Sequence, residues 1–224
     1  MDRFRQAARN GNLEIARELL DQGHDVHERD FLEQTPLHYA ARFNRVEMAR
    51  FLLERDADLE ARNNHGNTPF HDAARFNRVE MARFLVDRGA DLEAPDKCGG
   101  TPLHSAARFN RVEMVGCLLD RGADLEAQNT HNDSTPLHRA VLSNCVEMAG
   151  FLLDRGADLE AQNKSGETPL QVGCREFNMF EFLLSRGANA TTTDNCGETL
   201  LNWIFFFDSG PPWIGLLIGR SYRW

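Results

Sequence analysis

The motif Thr-Pro-Leu-His and its variants recur at nearly constant spacing, and this period constrains the fold more than any other feature of the chain. Five copies are separated by 33, 33, 34 and 33 residues, and a degraded copy, Glu-Thr-Leu-Leu, continues the series 31 residues later. The five copies begin at Thr35, Thr68, Thr101, Thr135 and Thr168. A period of about 20 to 50 residues is typical of arrays in which one small structural unit is repeated and stacked.

The second copy shows what one unit contains. Thr68 is suited to cap a helix and Pro69 to occupy its first turn, because the first N–H groups of a helix have no partner within it. Asn77 marks a turn, and apolar residues at helical spacing predict a second helix over residues 79–87. Gly89 is placed to end that helix in a left-handed conformation, and the Gly- and Asp-rich segment after it predicts an extended loop or hairpin. Such a unit cannot bury its apolar face alone, so neighbouring units must stack.

With this period and the signature Thr-Pro-Leu-His-x-Ala, the chain resembles the ankyrin repeat family from residue 1 to about residue 195. The resemblance implies an all-α ankyrin-repeat solenoid, in which helix–turn–helix units and β-hairpin loops stack into a right-angled L-shape with a concave binding face. It also implies that the histidine of each motif hydrogen-bonds within its own repeat and across to the next one. The motif residues are therefore expected to be structural: Thr35, Pro36, His38, Thr68, Pro69, His71, Thr101, Pro102, His104, Thr135, Pro136, His138, Thr168 and Pro169.

The period divides the chain into seven segments. They are an N-terminal capping unit at 1–34, four repeats at 35–67, 68–100, 101–134 and 135–167, a shortened repeat at 168–198, and a final segment at 199–224. The final segment contains two of the three tryptophans, and three interpretations of its tail, 205–224, stay open. It is a degenerate C-terminal cap, a partner site, or a non-native tail from a wrong gene model or a truncation.

Three positions depart from the pattern. Glu33 and Asp133 stand where other repeats have glycine at the tip of the hairpin loop, so we expect those two tips to differ in shape. Asp56 replaces the glycine that ends the second helix, which predicts a local cost in stability.

Composition narrows the class of function and the compartment. The formal net charge of −9 disfavours binding to nucleic acid through its phosphates. The N-terminus lacks the apolar segment of a secretory signal, and five scattered cysteines favour a reducing compartment, the cytoplasm or alternatively the nucleus. The most apolar stretch, 203–218, is interrupted by Asp208 and two prolines, so no membrane span is expected. We predict a monomer.

No pattern in the sequence predicts catalysis, a cofactor or a metal site. The four motif histidines belong to different repeats, roughly 10 Å apart by helix packing, whereas metal ligands lie about 2 Å from the ion. The cysteines have no histidine partner placed for nucleophilic catalysis, and no Gly-rich phosphate loop is present. The sequence therefore predicts a protein that is not an enzyme.

The resemblance places partner binding on the concave face, at the hairpin tips and the ends of the first helices. The corresponding positions are Arg42, Phe43, Asn64, His65, Asn67, Arg75, Phe76, Arg108, Phe109, Leu142 and Ser143. Arg-Phe is identical in three consecutive repeats at positions that usually vary. Arginine offers a bidentate donor to carboxylates and phenylalanine offers apolar area, so the matching partner is an extended acidic segment with interleaved apolar residues.

Recent duplication is the competing explanation of the Arg-Phe pairs, because the framework residues around them are also copied. The sequence predicts a non-enzymatic protein–protein interaction scaffold. The alternative is a regulatory or adaptor subunit that tethers or inhibits an enzyme.

Overall fold

The fold is taken from a computed structural model, which describes residues 3–200. The interpretations of the C-terminal tail, 205–224, fall outside the described residues. Within residues 3–200 the chain forms twelve helices. They are α1 (Arg3–Asn10), α2 (Leu13–Asp21), α3 (Pro36–Arg42), α4 (Val46–Leu53), α5 (Pro69–Arg75), α6 (Val79–Asp87), α7 (Pro102–Arg108), α8 (Val112–Asp120), α9 (Pro136–Leu142), α10 (Val146–Asp154), α11 (Pro169–Val172) and α12 (Phe177–Ser185).

The first helix of a repeat begins at a reciprocal cap. In α5 the backbone N–H of His71 donates to Thr68 Oγ1 at 3.4 Å, and the N–H of Thr68 donates back to His71 Nδ1 at 3.2 Å. Pro69 takes the first helical position, where no N–H is needed. The cap therefore satisfies two backbone donors that the start of a helix otherwise leaves unpaired.

Left-handed residues end both helices of a repeat. Asn77 follows α5 with φ 56°, and Gly89 follows α6 with φ 90°, so the predicted helix over residues 79–87 and its glycine stop are confirmed. Asp56 adopts the same conformation, φ 64°, at the end of α4. A side chain in this region is strained, and the left-handed φ of Asp56 is the physical reason for the local cost that the sequence predicts.

The hairpin loops are tight turns without strand ladders. Among the described residues the only β-pairing is an isolated antiparallel bridge between Thr193 and Thr199. In the second loop Asn63 Oδ1 accepts the N–H groups of His65 and Asn67, and the N–H of Gly66 donates to Asn63 O at 2.8 Å. The asparagine side chain thus holds the turn in place of a longer hairpin.

The expectation of a different tip shape is wrong for Glu33. Its φ of 59° is left-handed like that of Gly66, and its N–H donates to Asp30 O at 2.9 Å in the same pattern. Asp30 Oδ1 also accepts the N–H groups of Leu32 and Gln34, both at 2.8 Å, and these bonds hold the turn against the cost of a side chain there.

The tip at Asp133 does differ in its bonding. Its N–H donates to Asn129 O, four residues back, because this loop is one residue longer.

The helices form two compact units. The first consists of residues up to 106 together with 111–124, and the second consists of 107–110 and the residues from 125 onward. In the first unit α1, α3 and α5 pack side by side, and α2, α4, α6 and α8 form a second row. In the second unit α9 packs on α11 and α10 on α12. Large side chains such as Phe4 and Phe70 in the first unit and Phe180 in the second are fully buried.

Arginine side chains connect successive repeats. Nε of Arg45, Arg78 and Arg111 donates to the backbone carbonyls of Arg9, Arg42 and Arg75 at 3.0, 2.9 and 3.0 Å. In the second unit Cys145 occupies this position, and its Sγ lies 3.9 Å from the carbonyl of Arg108. This weak thiol contact replaces an arginine hydrogen bond.

A second connection runs through the glutamates of the loops. Glu60 accepts the N–H of Asp91 at 2.9 Å and Glu93 that of Asp124 at 2.8 Å, and the series continues with Glu126 and Glu160. Burial raises the pKa of Glu60 and Glu93, and the bonds from the next loop oppose that shift. These glutamates are framework residues. Within residues 3–200, no helix combines the length and the hydropathy needed to cross a bilayer.

Candidate functional site

The motif histidines are buried between adjacent repeats. The Thr35 N–H donates to His38 Nδ1 at 3.2 Å, so the ring proton belongs on Nε2, which lies 2.9 Å from Asn67 O. Burial lowers the pKa of His38 to about 4, and the ring is therefore neutral at physiological pH. His71 and His138 make the corresponding contacts to carbonyl oxygens of the following loops, each at 3.1 Å. All their ring nitrogens are engaged in packing the repeats.

The ends of the first helices in the first unit form a stack that we call the Arg–Phe ladder, consisting of Arg9, Arg42, Phe43, Arg75 and Phe76. The Arg9 guanidinium carbon lies 4.7 Å from the centre of the Phe43 ring, and that of Arg42 lies 4.5 Å from the centre of the Phe76 ring. Each arginine also approaches the phenylalanine that follows it in the chain, at 5.8 Å for Arg42 and 5.5 Å for Arg75. At these distances the cation is attracted to the ring face.

Arg42 stacks without using its hydrogen-bond donors. Its side chain is half-buried, and within residues 3–200 its guanidinium contacts the two phenylalanine rings and makes no hydrogen bond or ion pair. A guanidinium stacked on a ring can still offer its N–H groups to a carboxylate in bidentate fashion. The two ring contacts therefore restrict the position of an unpaired donor.

The other predicted helix-end residues lie in the second unit. Arg108 is exposed, and its guanidinium lies 5.5 Å from the centre of the half-buried Phe109 ring. Leu142 ends α9 with 54% of its surface exposed, and the exposed Ser143 follows it. In that repeat an apolar side chain replaces the arginine.

The predicted loop residues divide into framework and exposed groups. The Asn64 N–H donates to Leu32 O at 3.0 Å, and Asn67 O accepts from His38. His65 is exposed, and its carbonyl accepts the N–H of Lys97. The backbones of these loops therefore join neighbouring repeats, and His65 presents its side chain to solvent.

Phe31 is a surface residue that the sequence reasoning missed. It lies at the tip of the first loop with 87% of its surface exposed. The loop is tied to α3 by the Tyr39 hydroxyl, which donates to Asp30 Oδ2 at 2.7 Å, and burial together with this bond raises the pKa of Tyr39 to about 12. The available signal was an aromatic residue at a tip position where the next two repeats have Asn64 and Lys97.

Asp72 was also missed. It lies on α5, is 3% exposed, and its Oδ2 has no hydrogen-bond partner. Burial raises the pKa of this carboxyl to about 7, and the charges of Arg42 and Arg75 oppose the shift. The available signal was an ionisable residue one place after the motif histidine and directly before two alanines, Ala73 and Ala74.

No metal-binding geometry is found in the part of the chain that the structure describes. No group of three or more His, Cys, Asp or Glu side chains within residues 3–200 is arranged to hold an ion. The five cysteines are unpaired, and burial raises the pKa of the Cys174 thiol, which keeps it protonated.

Capped helix pairs that hydrogen-bond from one repeat to the next define a solenoid repeat protein. The family model for ankyrin repeats matches three times, over residues 4–96, 93–163 and 129–194, and the chain belongs to the ankyrin repeat family. Repeats of this family generally mediate protein–protein interaction and are generally not catalytic.

Two solved structures show the similarity of fold. The ankyrin repeat domain of Bcl-3, described as a unique member of the IkappaB protein family, is 30% identical, with a TM-score of 0.76 over 90% of this chain and 92% of that one. The human ASB11 ankyrin repeat domain is 24% identical, with a TM-score of 0.76 over 90% of this chain and 91% of that one, and shows the fold alone. No curated protein gives a significant sequence match.

Proposed function

We propose that this chain is a non-enzymatic scaffold that binds a partner protein on its concave face, the surface made of hairpin tips and the ends of the first helices. The observation that carries the proposal is Arg42, whose guanidinium is held 4.5 Å from the centre of the Phe76 ring while its N–H donors have no partner within residues 3–200. A positioned, unpaired cation at the surface favours binding of an anionic group. The scaffold acts as a monomer inside the cell and needs no cofactor.

The chemistry of the surface favours an extended acidic segment with apolar residues between its carboxylates. Arg42 and Arg75 supply donors for carboxylates, and their stacking on phenylalanine rings lowers the entropy lost on binding. Phe31, 87% exposed, supplies an apolar contact at the loop tip. An extended segment suits a surface on which the same groups recur once per repeat.

The stacking of arginine on phenylalanine also has to be weighed against recent duplication as the explanation of the repeated Arg-Phe pairs. Arg9 on Phe43 and Arg42 on Phe76 contribute to packing between repeats, so their repetition has a structural reason too. Stacking does not require that the donors of Arg42 stay unpaired. Those donors, rather than the repetition, support binding.

The test is affinity capture from cell extract with three forms of the chain. Arg42→Glu reverses the charge of the ladder, and we expect it to lose most of the captured partner. Arg50→Glu is the control, because Arg50 also stacks on a ring of the next repeat, 5.1 Å from the centre of Phe84, but lies on the row of second helices and pairs with Glu47. Equal loss by both variants, or by neither, contradicts the assignment to the concave face.

Arg75→Glu combined with Phe76→Ala provides a second test of the same face. We expect weaker binding of the captured partner with nearly unchanged helix content, and only the small loss of thermal stability that removal of the Arg42–Phe76 stack brings. The positions Arg108, Phe109, Leu142 and Ser143 belong to the proposal as well, and Arg42, Arg75 and Arg108 replaced together should abolish capture.

A further inference from the structure

A carboxylate lies buried beside the Arg–Phe ladder. Asp72 is on α5, three residues before Arg75 and 30 residues after Arg42, and it is 3% exposed. Its Oδ2 has no hydrogen-bond partner within the described residues. Buried polar atoms are usually paired, so this oxygen calls for a functional or structural reason.

Opposing effects act on the Asp72 carboxyl. α3 and α6 both pack against α5. Within residues 3–200 the charged groups that act on the carboxyl are Arg42 from α3 and Arg75 from its own helix, and α6 contributes none. Tyr39 of α3 donates its hydroxyl to Asp30 instead. Desolvation favours the neutral acid, and the two arginines favour the carboxylate.

We infer that Asp72 is a protonation switch for the Arg–Phe ladder. The Asp72 carboxylate attracts the Arg42 guanidinium toward α5, and the neutral acid leaves Arg42 free to bind the carboxylates of a partner. This inference rests on the proposed function, because it assigns a regulation to the same surface.

The direction of the pH effect follows because Asp72 and the carboxylates of a partner compete for Arg42. Burial raises the pKa of Asp72 to about 7, so the carboxyl changes charge between about pH 6 and pH 8. An acidic partner stabilises the neutral acid, and its affinity therefore rises as pH falls through this window. We expect a rise of roughly three- to tenfold, which corresponds to a further shift of the Asp72 pKa by about 0.5 to 1 on binding.

The first experiment needs no partner. NMR of the full chain between pH 5.5 and pH 8.5 follows the carboxyl carbon of Asp72 and the Nε–H group of Arg42. A common midpoint near pH 7, with the pH-dependent shift of the Arg42 signal lost in Asp72→Asn, supports the switch. Absence of an Asp72 titration in this range, or an Arg42 signal that does not follow it, overturns the switch. Asp21→Asn, at an exposed position on α2, is the control and should leave the pH-dependent shift of the Arg42 signal unchanged.

The second experiment uses a fluorescent peptide of alternating glutamate and leucine and measures its affinity for the full chain at pH 6 and pH 8. The switch predicts tighter binding at pH 6 by the wild type and an affinity for Asp72→Asn that is nearly the same at both pH values. Asp72→Ser, which has the residue found at this position in the next repeat, serves if the asparagine variant does not fold.

The outcomes separate the two proposals. Binding with an unchanged pH dependence in both Asp72 variants overturns the switch and leaves the proposed function standing. The wild type could fail to bind the peptide at either pH while the NMR signal of Arg42 follows the titration of Asp72. That result overturns the proposed partner chemistry and supports the coupling between the two residues.

Discussion

His38 lies buried between its own helix cap and the next repeat, and it must remain neutral there. Its pKa is lowered from 6.5 to about 4 by burial, so the folded chain resists a proton that the unfolded chain accepts below about pH 6.5. Stability from this residue is complete above pH 6.5 and is lost as pH falls toward 4.

We predict that His38→Gln removes this part of the acid sensitivity. Gln171 already makes the equivalent bonds in the fifth repeat, accepting from the Thr168 N–H at 2.9 Å and donating to Glu198 O at 3.4 Å. Between pH 7 and pH 4 the wild type should lose about 3 kcal/mol more unfolding free energy than the variant. Urea unfolding at several pH values measures the difference, and parallel curves would contradict the prediction.

The contribution of Asp72 to stability depends on pH in the opposite direction from that of His38. Its folded pKa of about 7 lies above the ordinary 3.8, so the folded state prefers the neutral acid and loses stability as pH rises. From pH 5 to pH 8.5 we expect the unfolding free energy of Asp72→Asn to rise by about 3 kcal/mol relative to the wild type. The comparison across pH cancels any constant cost of burying the amide. Asp21→Asn, at an exposed position on α2, is the control variant.

For single residues, the sequence predicts the role of the motif residues better than it predicts the contacts of the candidate binding site. Threonine, proline and histidine at fixed spacing predict the cap of α5, because each has one main use at a helix start. The residue after the histidine differs in every repeat, as with Asp72, and its burial depends on how the repeats pack. The stacking of Arg42 on Phe76 depends on side-chain conformations across two repeats, which local patterns do not determine.

The ends of the second helices provide a matched pair of substitutions. Asp56 and Gly89 occupy equivalent positions with φ of 64° and 90°, and a side chain built on Gly89 would meet no atom within 4 Å. Strain in the backbone is therefore the main difference between the two residues. We predict that Asp56→Gly raises the unfolding free energy by about 1 kcal/mol and that Gly89→Asp lowers it by a similar amount. Thermal unfolding of both variants tests this, and a change of the same sign in both would contradict it.

Element boundaries were predictable where turn residues are unambiguous. Asn77 and Gly89 bracket a helix that the structure places at Val79–Asp87. Glu33 misled the prediction because its left-handed turn is held by bonds from the Asp30 side chain, whose effect a rule about glycine alone does not include.

For the whole molecule, stability should behave as a sum over interfaces between repeats. Glu60 and Glu160 each accept a backbone N–H from the following loop, at 2.9 and 2.7 Å, and they share no partner. We predict that Glu60→Ala and Glu160→Ala each cost about 1 kcal/mol and that the double variant costs their sum. Denaturant unfolding measures all three, and a double-variant cost well above or below the sum would contradict independent interfaces.

The period of the motif was sufficient to predict a solenoid of helix pairs. The division into two compact units was not predicted, since it depends on how closely successive repeats pack rather than on their pattern.

The Arg78 hydrogen bond to the Arg42 carbonyl bears on how many repeats the array can contain. The same bond joins Arg45 to Arg9, so every unit in this part of the array offers its neighbour an identical attachment. Residues 42–74 span one full period of 33 residues, and excising them would join Ala41 to Arg75 and rebuild the sequence Ala-Arg-Phe-Asn-Arg without a seam. Arg78 would then meet the carbonyl of Arg9. One in-frame deletion or duplication can thus change the number of repeats, and with it the length of the array. The hydrogen bonds between neighbouring repeats are preserved.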